Sequence, residues 1–336
     1  MLQLMIHAKN NEFFRDKSIL ITGATGFVGR NLIKELVRSD SYRTSELKIT
    51  CVTRSPQKFF KQWPNELSRL KVLDWDIRQP LNKRIPHFDY IFHLAGENRI
   101  FNSQEQSKTI FDTSVLGTKN LLQAVKNLDV KKIIFASSGA VYKNTQGDAQ
   151  IFDESQEKLK VEECESDPYR AGKVQAESIF EDFHKFSNIQ ISIARMFTFI
   201  GPFLPLDSNF AIGNFFNDCI LNKPITIKGD GSSIRSYQFS TDMVNWLVTI
   251  LLFGKSGESY NVGSAEQVSI KDLAERVAKI FETKLGVRIL GDRTPDPVSN
   301  FYVPKIEKTE TELGLSNYFS LDNSLLEMRR ILKNTD

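Results

Sequence analysis

The sequence predicts an α/β protein with a doubly wound parallel sheet. Strand-length apolar runs alternate with helical patterns over residues 19–195, and an alternation of this kind gives a parallel sheet covered by helices. A glycine-rich turn follows the first run, and small or hydroxyl-bearing residues end two later ones. Because ligands of such sheets bind at the carboxyl ends of the strands, these features predict a binding site at that edge.

Six runs rich in β-branched and aromatic residues are predicted as the strands of this sheet. They are residues 19–22, 47–53, 72–77, 89–96, 132–138 and 189–195. Helical periodicity begins after the glycine turn and recurs at 103–128 and 169–185. Strands and helices therefore follow one another in the order that a doubly wound sheet requires.

The turn after the first strand carries three glycines at a spacing of three. Glycine lets the backbone turn sharply and lets a pyrophosphate approach it closely, and the N–H groups at the start of the next helix then face the phosphate charge. Strand, glycine turn and helix in this order predict a Rossmann-type dinucleotide site. The predicted cofactor contacts at the turn are Gly23, Thr25, Gly26, Phe27, Val28 and Gly29.

The end of the second strand bears on which dinucleotide is bound. Sites that prefer NAD place an acidic residue there to bind the ribose 2′-hydroxyl, whereas this chain has Thr53-Arg54-Ser55. Arg54 can pair with a 2′-phosphate, so the sequence favours NADP(H) and leaves NAD(H) as the alternative. The other interpretation of Arg54 is a solvated surface residue.

Composition and charge exclude several classes of protein. The 336 residues carry a net charge of +3 without a dense basic block, which argues against a nucleic-acid partner. The apolar stretches are strand-sized, and the N-terminus lacks a signal-peptide pattern, so we expect neither a membrane span nor secretion. Three scattered cysteines and four histidines without ligand spacing argue against a metal site and fit a cytoplasmic location.

One tyrosine and one lysine are spaced for proton transfer. Tyr169 and Lys173 are four residues apart in a predicted helix, and positions i and i+4 share a face. An ammonium beside a phenol lowers the pKa of the phenol, which can then exchange a proton with a substrate hydroxyl. Ser138, at the end of the fifth strand, can bond the same oxygen. A surface helix would carry such a pair by chance, but here it accompanies the glycine turn.

The character of the chain changes after Gly201-Pro202, where prolines interrupt the pattern and short helices and turns follow. The sequence predicts a dinucleotide-binding domain at 1–201 and a smaller, irregular substrate domain at 202–336. Some segments of the second half, about 240–263, are expected to return to the first domain.

Together these stretches resemble the extended short-chain dehydrogenase/reductase family, in particular its nucleotide-sugar epimerases, dehydratases and reductases. The similar segments cover residues 18 to about 320 and are 22–29, 76–77, 93–96, 137–142, 169–173, 195–202, 229–235 with Asp242, and 261–263. The resemblance implies a Rossmann fold, a nicotinamide cofactor, a nucleoside diphosphate sugar as substrate, and a homodimer formed through helices 103–128 and 169–185.

The resemblance also implies a role for each matching residue. Tyr169 is the expected acid/base, Lys173 holds the nicotinamide ribose, and Ser138 orients the sugar hydroxyl. Asp76 and Ile77 are expected near the adenine, and Leu94, Ala95 and Gly96 beside the cofactor. The implied substrate contacts are Ser138, Thr198, Arg235, Asn261 and Arg293, with the two arginines gripping the diphosphate.

Two departures from the family pattern bear on the reaction. The 4,6-dehydratases carry Asp and Glu where this chain has Gly139 and Ala140, which cannot move a proton. The family's Asn in the stretch Arg-x-Phe-Asn is Thr198 here. We therefore expect hydride transfer at a sugar carbon, C4, with net ketoreduction or epimerisation. The alternatives are a 4,6-dehydratase with a displaced acid/base pair and an NADP-binding regulator without turnover.

Overall fold

The computed structural model describes residues 13–44, 46–62, 69–97, 103–143, 151–164, 167–206, 210–291 and 301–334. The described residues of Met1–Val141, Lys158–Arg195 and Val244–Tyr260 form one compact unit. Those of Tyr142–Glu157, Met196–Met243 and Asn261–Asp336 form a second. Within the described residues, no helix is both long and apolar enough to cross a membrane.

A seven-stranded sheet is the framework of the first unit, and its order runs β11-β6-β5-β4-β1-β2-β3. Strands β1 to β5 pair in parallel, with Ile19 opposite Ile49 on β2 and Tyr90 on β4. The chain winds outward from β1 in both directions, which confirms the predicted doubly wound sheet and places the topological switch point between β1 and β4. The strands are β1 (Ser18–Thr22), β2 (Lys48–Thr53), β3 (Lys71–Asp74), β4 (Tyr90–His93), β5 (Lys132–Ser138), β6 (Gln190–Met196) and β11 (Ser259–Val262).

The predicted strands agree with the sheet apart from their ends and one omission. The third strand ends at Asp74 and not at residue 77. The Trp75 N–H still donates to the Thr53 carbonyl on β2, and the chain then turns, with the Gln79 N–H donating to the Asp76 carbonyl. The sequence does not predict β11, whose four residues are too few for a recognisable alternation.

The helices of the first unit pack their apolar faces on this sheet. Leu121, Val125 and Phe180 are buried in one core cluster with strand residues such as Ile91 and Ile133. Two of the helices, α4 and α5, also pack closely against each other, and a Cβ at Gly172 would come within 3.0 Å of the Ser114 Cβ. The helices are α1 (Phe27–Leu36), α2 (Asp40–Arg43), α3 (Pro56–Gln62), α4 (Gln104–Val125), α5 (Pro168–Phe186) and α7 (Ser240–Phe253), the last beginning in the second unit.

The second unit combines short strand pairs with amphipathic helices around its own core, in which Phe215, Ile227 and Leu273 are buried. A three-stranded sheet has the order β12-β9-β14. The strands are β7 (Phe199–Ile200), β8 (Ile225–Ile227), β9 (Ile234–Arg235), β10 (Gln238–Phe239), β12 (Val268–Ser269), β13 (Val287–Ile289) and β14 (Phe301–Tyr302). The helices are α6 (Ala211–Ile220), α8 (Ile270–Phe281), α9 (Glu307–Leu313) and α10 (Leu321–Lys333).

The sequence predicts a boundary at residue 201 and a return of about 240–263 to the first domain. Val244–Tyr260 lies in the first unit, but one segment before residue 201 does not. Tyr142–Glu157 belongs to the second unit. Within that unit the Tyr142 ring stacks on Phe152 at 5.4 Å between centroids, and its hydroxyl donates to Asn261 Oδ1 at 2.6 Å. These contacts join residues far apart in the chain, so local patterns could not show them.

Candidate active site

The glycine turn after β1 is sterically confined. Gly23 has φ +68°, and a Cβ there would lie 2.5 Å from the Leu94 carbonyl oxygen. At Gly29, a Cβ would lie 2.3 Å from the Gly23 carbonyl oxygen, so α1 can approach the turn only with glycine at this position. The protein's own packing therefore explains the first and third glycines of the motif.

The middle glycine has a different explanation. A Cβ at Gly26 would meet no atom closer than the Gly23 carbonyl at 3.4 Å, and Gly26 has a negative φ of −78°. Gly26 is the N-cap of α1 and offers no side-chain cap, so a ligand can reach the backbone N–H groups of the first turn. Thr25 beside it is exposed, and Phe27 and Val28 are half-buried. This uncapped, open helix start fits the pyrophosphate of a dinucleotide.

A buried histidine ties this turn to the end of β4. The Thr22 hydroxyl accepts hydrogen bonds from the N–H groups of Leu94 and Ala95, both at 3.1 Å, and lies 2.8 Å from His93 Nδ1. The single proton of the Thr22 hydroxyl is therefore donated to His93 Nδ1. The ring proton of His93 is then on Nε2, which lies 3.2 Å from the Thr118 hydroxyl. Burial lowers the pKa of His93 to about 3, so the ring is neutral and holds the turn in place.

Tyr169 and Ser138 meet at the carboxyl end of β5. The Asp167 side chain caps α5 by accepting from the N–H groups of Tyr169 and Arg170, with Pro168 in the first turn. This cap fixes the start of the helix, and thereby the direction of the phenol. The Ser138 side chain lies close enough to the phenol to lower the pKa of Tyr169, and the Ser138 hydroxyl accepts from the Ala140 N–H at 3.2 Å. The structure thus brings together the predicted acid/base and the predicted orienting hydroxyl.

Lys173 lies on the same helix face and is buried. Its Nζ donates to the Ala136 carbonyl at 2.6 Å and lies 4.8 Å from the centre of the Phe135 ring. A Cβ at Gly96 would come within 3.1 Å of this Nζ, so the lysine reaches the end of β4. Burial lowers the pKa of Lys173 to about 8, while the Glu177 carboxylate acts in the opposite direction.

The pKa of Tyr169 differs from the value expected from sequence. The Tyr–Lys spacing predicts a lowered phenol pKa, yet desolvation raises the pKa of Tyr169, and Ser138 offsets this in part. Lys173 has its Nζ 5.9 Å from the centre of the Tyr169 ring and is bonded to the Ala136 carbonyl. The ammonium is directed towards that carbonyl and not towards the phenol oxygen.

A buried ion pair lies one helical turn beyond Lys173 on α5, and it was not predicted from the sequence. Glu177 follows Lys173 by one turn and is fully buried. Its carboxylate accepts hydrogen bonds from Nε (3.1 Å) and Nη2 (2.9 Å) of Arg195 on β6. The Ser137 hydroxyl donates to the same carboxylate at 2.5 Å. The pKa of Glu177 is held below its ordinary value by Arg195, Lys158 and Ser137 despite burial. The spacing of Tyr169, Lys173 and Glu177 at i, i+4 and i+8 was the available signal.

The ends of β2 and β3 carry paired charges. Arg54 Nη2 lies 2.9 Å from an oxygen of Glu97, which follows β4. Asp76 binds Arg78 through both carboxylate oxygens, at 3.0 and 2.6 Å, and Arg78 lowers the pKa of this carboxyl. Ile77 is buried, and its carbonyl accepts from Asn120. Arg54 and Asp76 thus lie at the predicted edge of the sheet, each with a charged partner.

Two predicted substrate contacts belong to the second unit. Arg235 on β9 is half-buried, burial lowers its pKa, and its Nη1 donates to the Ile234 carbonyl at 2.8 Å. The Thr198 hydroxyl is buried without a hydrogen-bond partner among the residues that the structure describes. A third predicted contact, Arg293, lies outside the described residues.

The structure corrects the prediction for Asn261. This residue is fully buried, and its side-chain NH₂ donates to the carbonyls of Phe152 and Lys305. Its Oδ1 accepts from Tyr142, its N–H donates to Glu154, and its carbonyl accepts from Thr309. Every polar group of Asn261 is used inside the second unit, so it connects three segments and offers nothing to a substrate.

Two carboxylates that follow Gly139 and Ala140 in the chain, Asp153 and Glu154, are also engaged. Asp153 accepts from the Ser155 hydroxyl and N–H and pairs with Lys305, and these bonds lower its pKa to about 2. Glu154 accepts the Asn261 N–H at 2.7 Å. In the part of the chain that the structure describes, no group of His, Cys, Asp and Glu could hold a metal ion.

The fold and the glycine turn define a Rossmann-like dinucleotide-binding protein. Residues 19–263 match the NAD dependent epimerase/dehydratase family, and the chain belongs to that family. The resemblance stated from the motifs is thereby confirmed.

Comparison with known proteins adds relatives with different reactions. The chain is 26% identical over 314 residues to UDP-glucuronic acid decarboxylase 6 of Arabidopsis thaliana, covering 91% of this chain and 86% of that protein. It is 28% identical over 284 residues to dTDP-D-glucose 4,6-dehydratase of Dictyostelium discoideum, covering 79% and 62%.

Solved structures of low identity show the same fold. An epimerase of Methanothermobacter thermautotrophicus has a TM-score of 0.82 at 22% identity, covering 98% of this chain and 96% of that one. UDP-N-acetylglucosamine 4-epimerase of Methanobrevibacter ruminantium, in complex with UDP-N-acetylmuramic acid, has a TM-score of 0.81 at 21% identity, covering 96% and 100%.

Proposed function

We propose that this protein transfers hydride at C4 of a nucleoside diphosphate sugar, with net ketoreduction or epimerisation. The observation that carries the proposal is the constellation in the first unit: Tyr169 beside Ser138, with Lys173 on the same helix face. The glycine turn of the same unit supplies the dinucleotide site.

In the proposed reaction, Tyr169 moves the proton and Ser138 positions the sugar. A bound nicotinamide supplies or accepts the hydride. The Tyr169 phenol takes the proton from the sugar hydroxyl during oxidation and returns it during reduction, while the Ser138 hydroxyl bonds the same sugar oxygen. In this proposal Lys173 donates to the ribose hydroxyls of the cofactor, which its position next to Gly96 supports.

A nucleoside diphosphate sugar is proposed on two grounds. The curated relatives are named for reactions of UDP-glucuronic acid and dTDP-D-glucose. Arg235 in the second unit is a guanidinium whose charge is partly desolvated, and such a fork binds phosphate oxygens strongly.

Dehydration and decarboxylation are distinguished from the proposal by the mass of the product. We would incubate the protein with a panel of nucleoside diphosphate sugars, including 4-keto and uronic acid forms, with NADPH or NADH. An unchanged mass with inverted stereochemistry supports epimerisation, and a gain of two hydrogens with consumed NADPH supports reduction. A product lighter by one water would contradict the inference that Gly139 and Ala140 prevent dehydration. A product lighter by carbon dioxide would instead assign the decarboxylation for which the Arabidopsis relatives are named. Binding without turnover of any sugar supports the regulator.

For the cofactor we propose NADP(H). The family is named for NAD, but β2 ends here in Thr53 and Arg54 without a carboxylate. Arg54→Ala should weaken NADPH binding roughly tenfold, the loss of one charge-assisted bond, and leave NADH binding unchanged. Titration of dinucleotide fluorescence measures both affinities. Tighter binding of NADH than NADPH by the unchanged protein would contradict the proposal.

We also propose a homodimer through the outer faces of α4 and α5. Three apolar residues of α5 do not contribute to such an interface, since Val174, Ile179 and Phe183 pack into the core clusters of the first unit. Leu116 and Phe186 remain exposed, and Phe186 borders a groove of about 960 Å³ between the ends of the two helices. Sedimentation should give a dimer mass that Phe186→Asp reduces, whereas a monomer at every concentration would contradict the proposal.

A further inference from the structure

An ion pair crosses the end of β1, where the glycine turn begins. Arg54 follows β2 and Glu97 follows β4, and their side chains meet at 2.9 Å. Since β1 lies between β2 and β4 in the sheet, the two side chains approach each other from its opposite sides. The pair therefore lies at the switch-point crevice in which a Rossmann-like sheet binds its dinucleotide.

The two partners differ in their access to a ligand. The Arg54 side chain is 49% exposed, whereas that of Glu97 is 15% exposed. A second pair, Asp76 with Arg78, lies close enough that Arg54 lowers the pKa of Asp76 and Glu97 raises the pKa of Arg78. Each of these arginines is already paired with a carboxylate, so an incoming anion must compete with that carboxylate for the guanidinium.

We propose that Glu97 weakens the preference for NADP over NAD by occupying the guanidinium of Arg54. A 2′-phosphate carries more negative charge than a carboxylate and accepts the guanidinium fork in two bonds, so it takes the place of Glu97. NAD has no 2′-phosphate and leaves the pair intact. Glu97 therefore weakens the binding of NADP and leaves the binding of NAD unchanged. The inference rests on the proposed contact between Arg54 and the 2′-phosphate.

The test compares Kd values for NADPH and NADH in variants of the full chain. Glu97→Gln keeps the size of the side chain and removes its charge. We expect NADPH to bind roughly two- to fivefold more tightly, the range that an exposed ion pair is worth, and NADH to change by less than about twofold. The gain should shrink in high salt, since half-exposed charges are screened.

Two further variants separate the possible outcomes. Glu105→Gln removes an exposed carboxylate in the first turn of α4 and controls for net charge; it should change neither affinity. If Arg54→Ala weakens NADPH binding but Glu97→Gln leaves the ratio of the two affinities unchanged, the role of Glu97 is wrong and the NADP proposal stands. If Arg54→Ala has no effect on NADPH, both are wrong. Equal changes in NADPH and NADH binding by Glu97→Gln would also overturn the inference.

Discussion

Tyr169→Phe should lower turnover by roughly 10²–10⁴-fold, the usual cost of losing a positioned acid/base. The substitution removes one oxygen and keeps the ring, and α5 keeps its cap from Asp167. Folding and dinucleotide binding should therefore be unchanged. Single-turnover oxidation or reduction of the nicotinamide, followed by its absorbance, measures the chemical step directly.

Tyr318→Phe is the matched control for this prediction. It removes the same atom from a tyrosine that is 58% exposed and lies in the second unit. We expect wild-type rates from this variant. Lys173→Met should lower cofactor affinity, since the proposed ribose contact is lost, and should lower the rate because the nicotinamide is then held less firmly. Full activity of Tyr169→Phe would assign the proton transfer to another group.

Arg195→Met should destabilise the first unit by about 3–5 kcal/mol, because it leaves the Glu177 carboxylate buried without its main partner. Glu177 is fully buried and the Arg195 side chain is 5% exposed, so water cannot replace the lost bonds. Urea unfolding followed by tryptophan fluorescence measures the effect, since Trp75 and Trp246 are both buried in the first unit.

Arg330→Met provides the comparison at the surface. Arg330 binds both oxygens of Glu327, at 2.9 and 2.6 Å, but its side chain is 66% exposed. Exposed pairs are worth about 1 kcal/mol or less. Equal losses from the two substitutions would show that burial of the Glu177 pair does not matter.

The same pair predicts how stability responds to acid. The folded-state pKa of Glu177 is lowered, so its contribution is complete above the unfolded pKa and is lost as the pH falls through the folded one. In Glu177→Gln, this part of the acid destabilisation should be absent.

Local patterns were sufficient for six of the seven strands of the sheet because each of these six contains apolar residues that a partner strand or helix would bury. The prediction of 132–138 coincides with β5. The glycine turn was equally predictable, since a positive φ at Gly23 and the close approach at Gly29 are requirements of the backbone itself. The family followed from the order of these motifs and is confirmed.

Some site residues could not be found from local patterns. Glu177 and Arg195 are 18 residues apart on different elements, and only the packing of α5 against the sheet makes them partners. Glu97 follows a predicted strand end, but nothing in its neighbours shows that Arg54, 43 residues earlier, reaches it. Asn261 was assigned to the substrate because its motif resembles a family site, whereas its burial could be seen only in three dimensions.

The sequence by itself determined the order of strands and helices, the glycine turn, and the residue types available for chemistry. These depend on backbone sterics and on hydrophobic periodicity, both of which act over a few neighbouring residues. Tertiary structure decided the electrostatics: which carboxylate faces which cation, and how far each is removed from water. Burial raises the pKa of Tyr169 and lowers that of Lys173. Desolvation is a property of the surrounding fold, so no spacing in the chain could have predicted it.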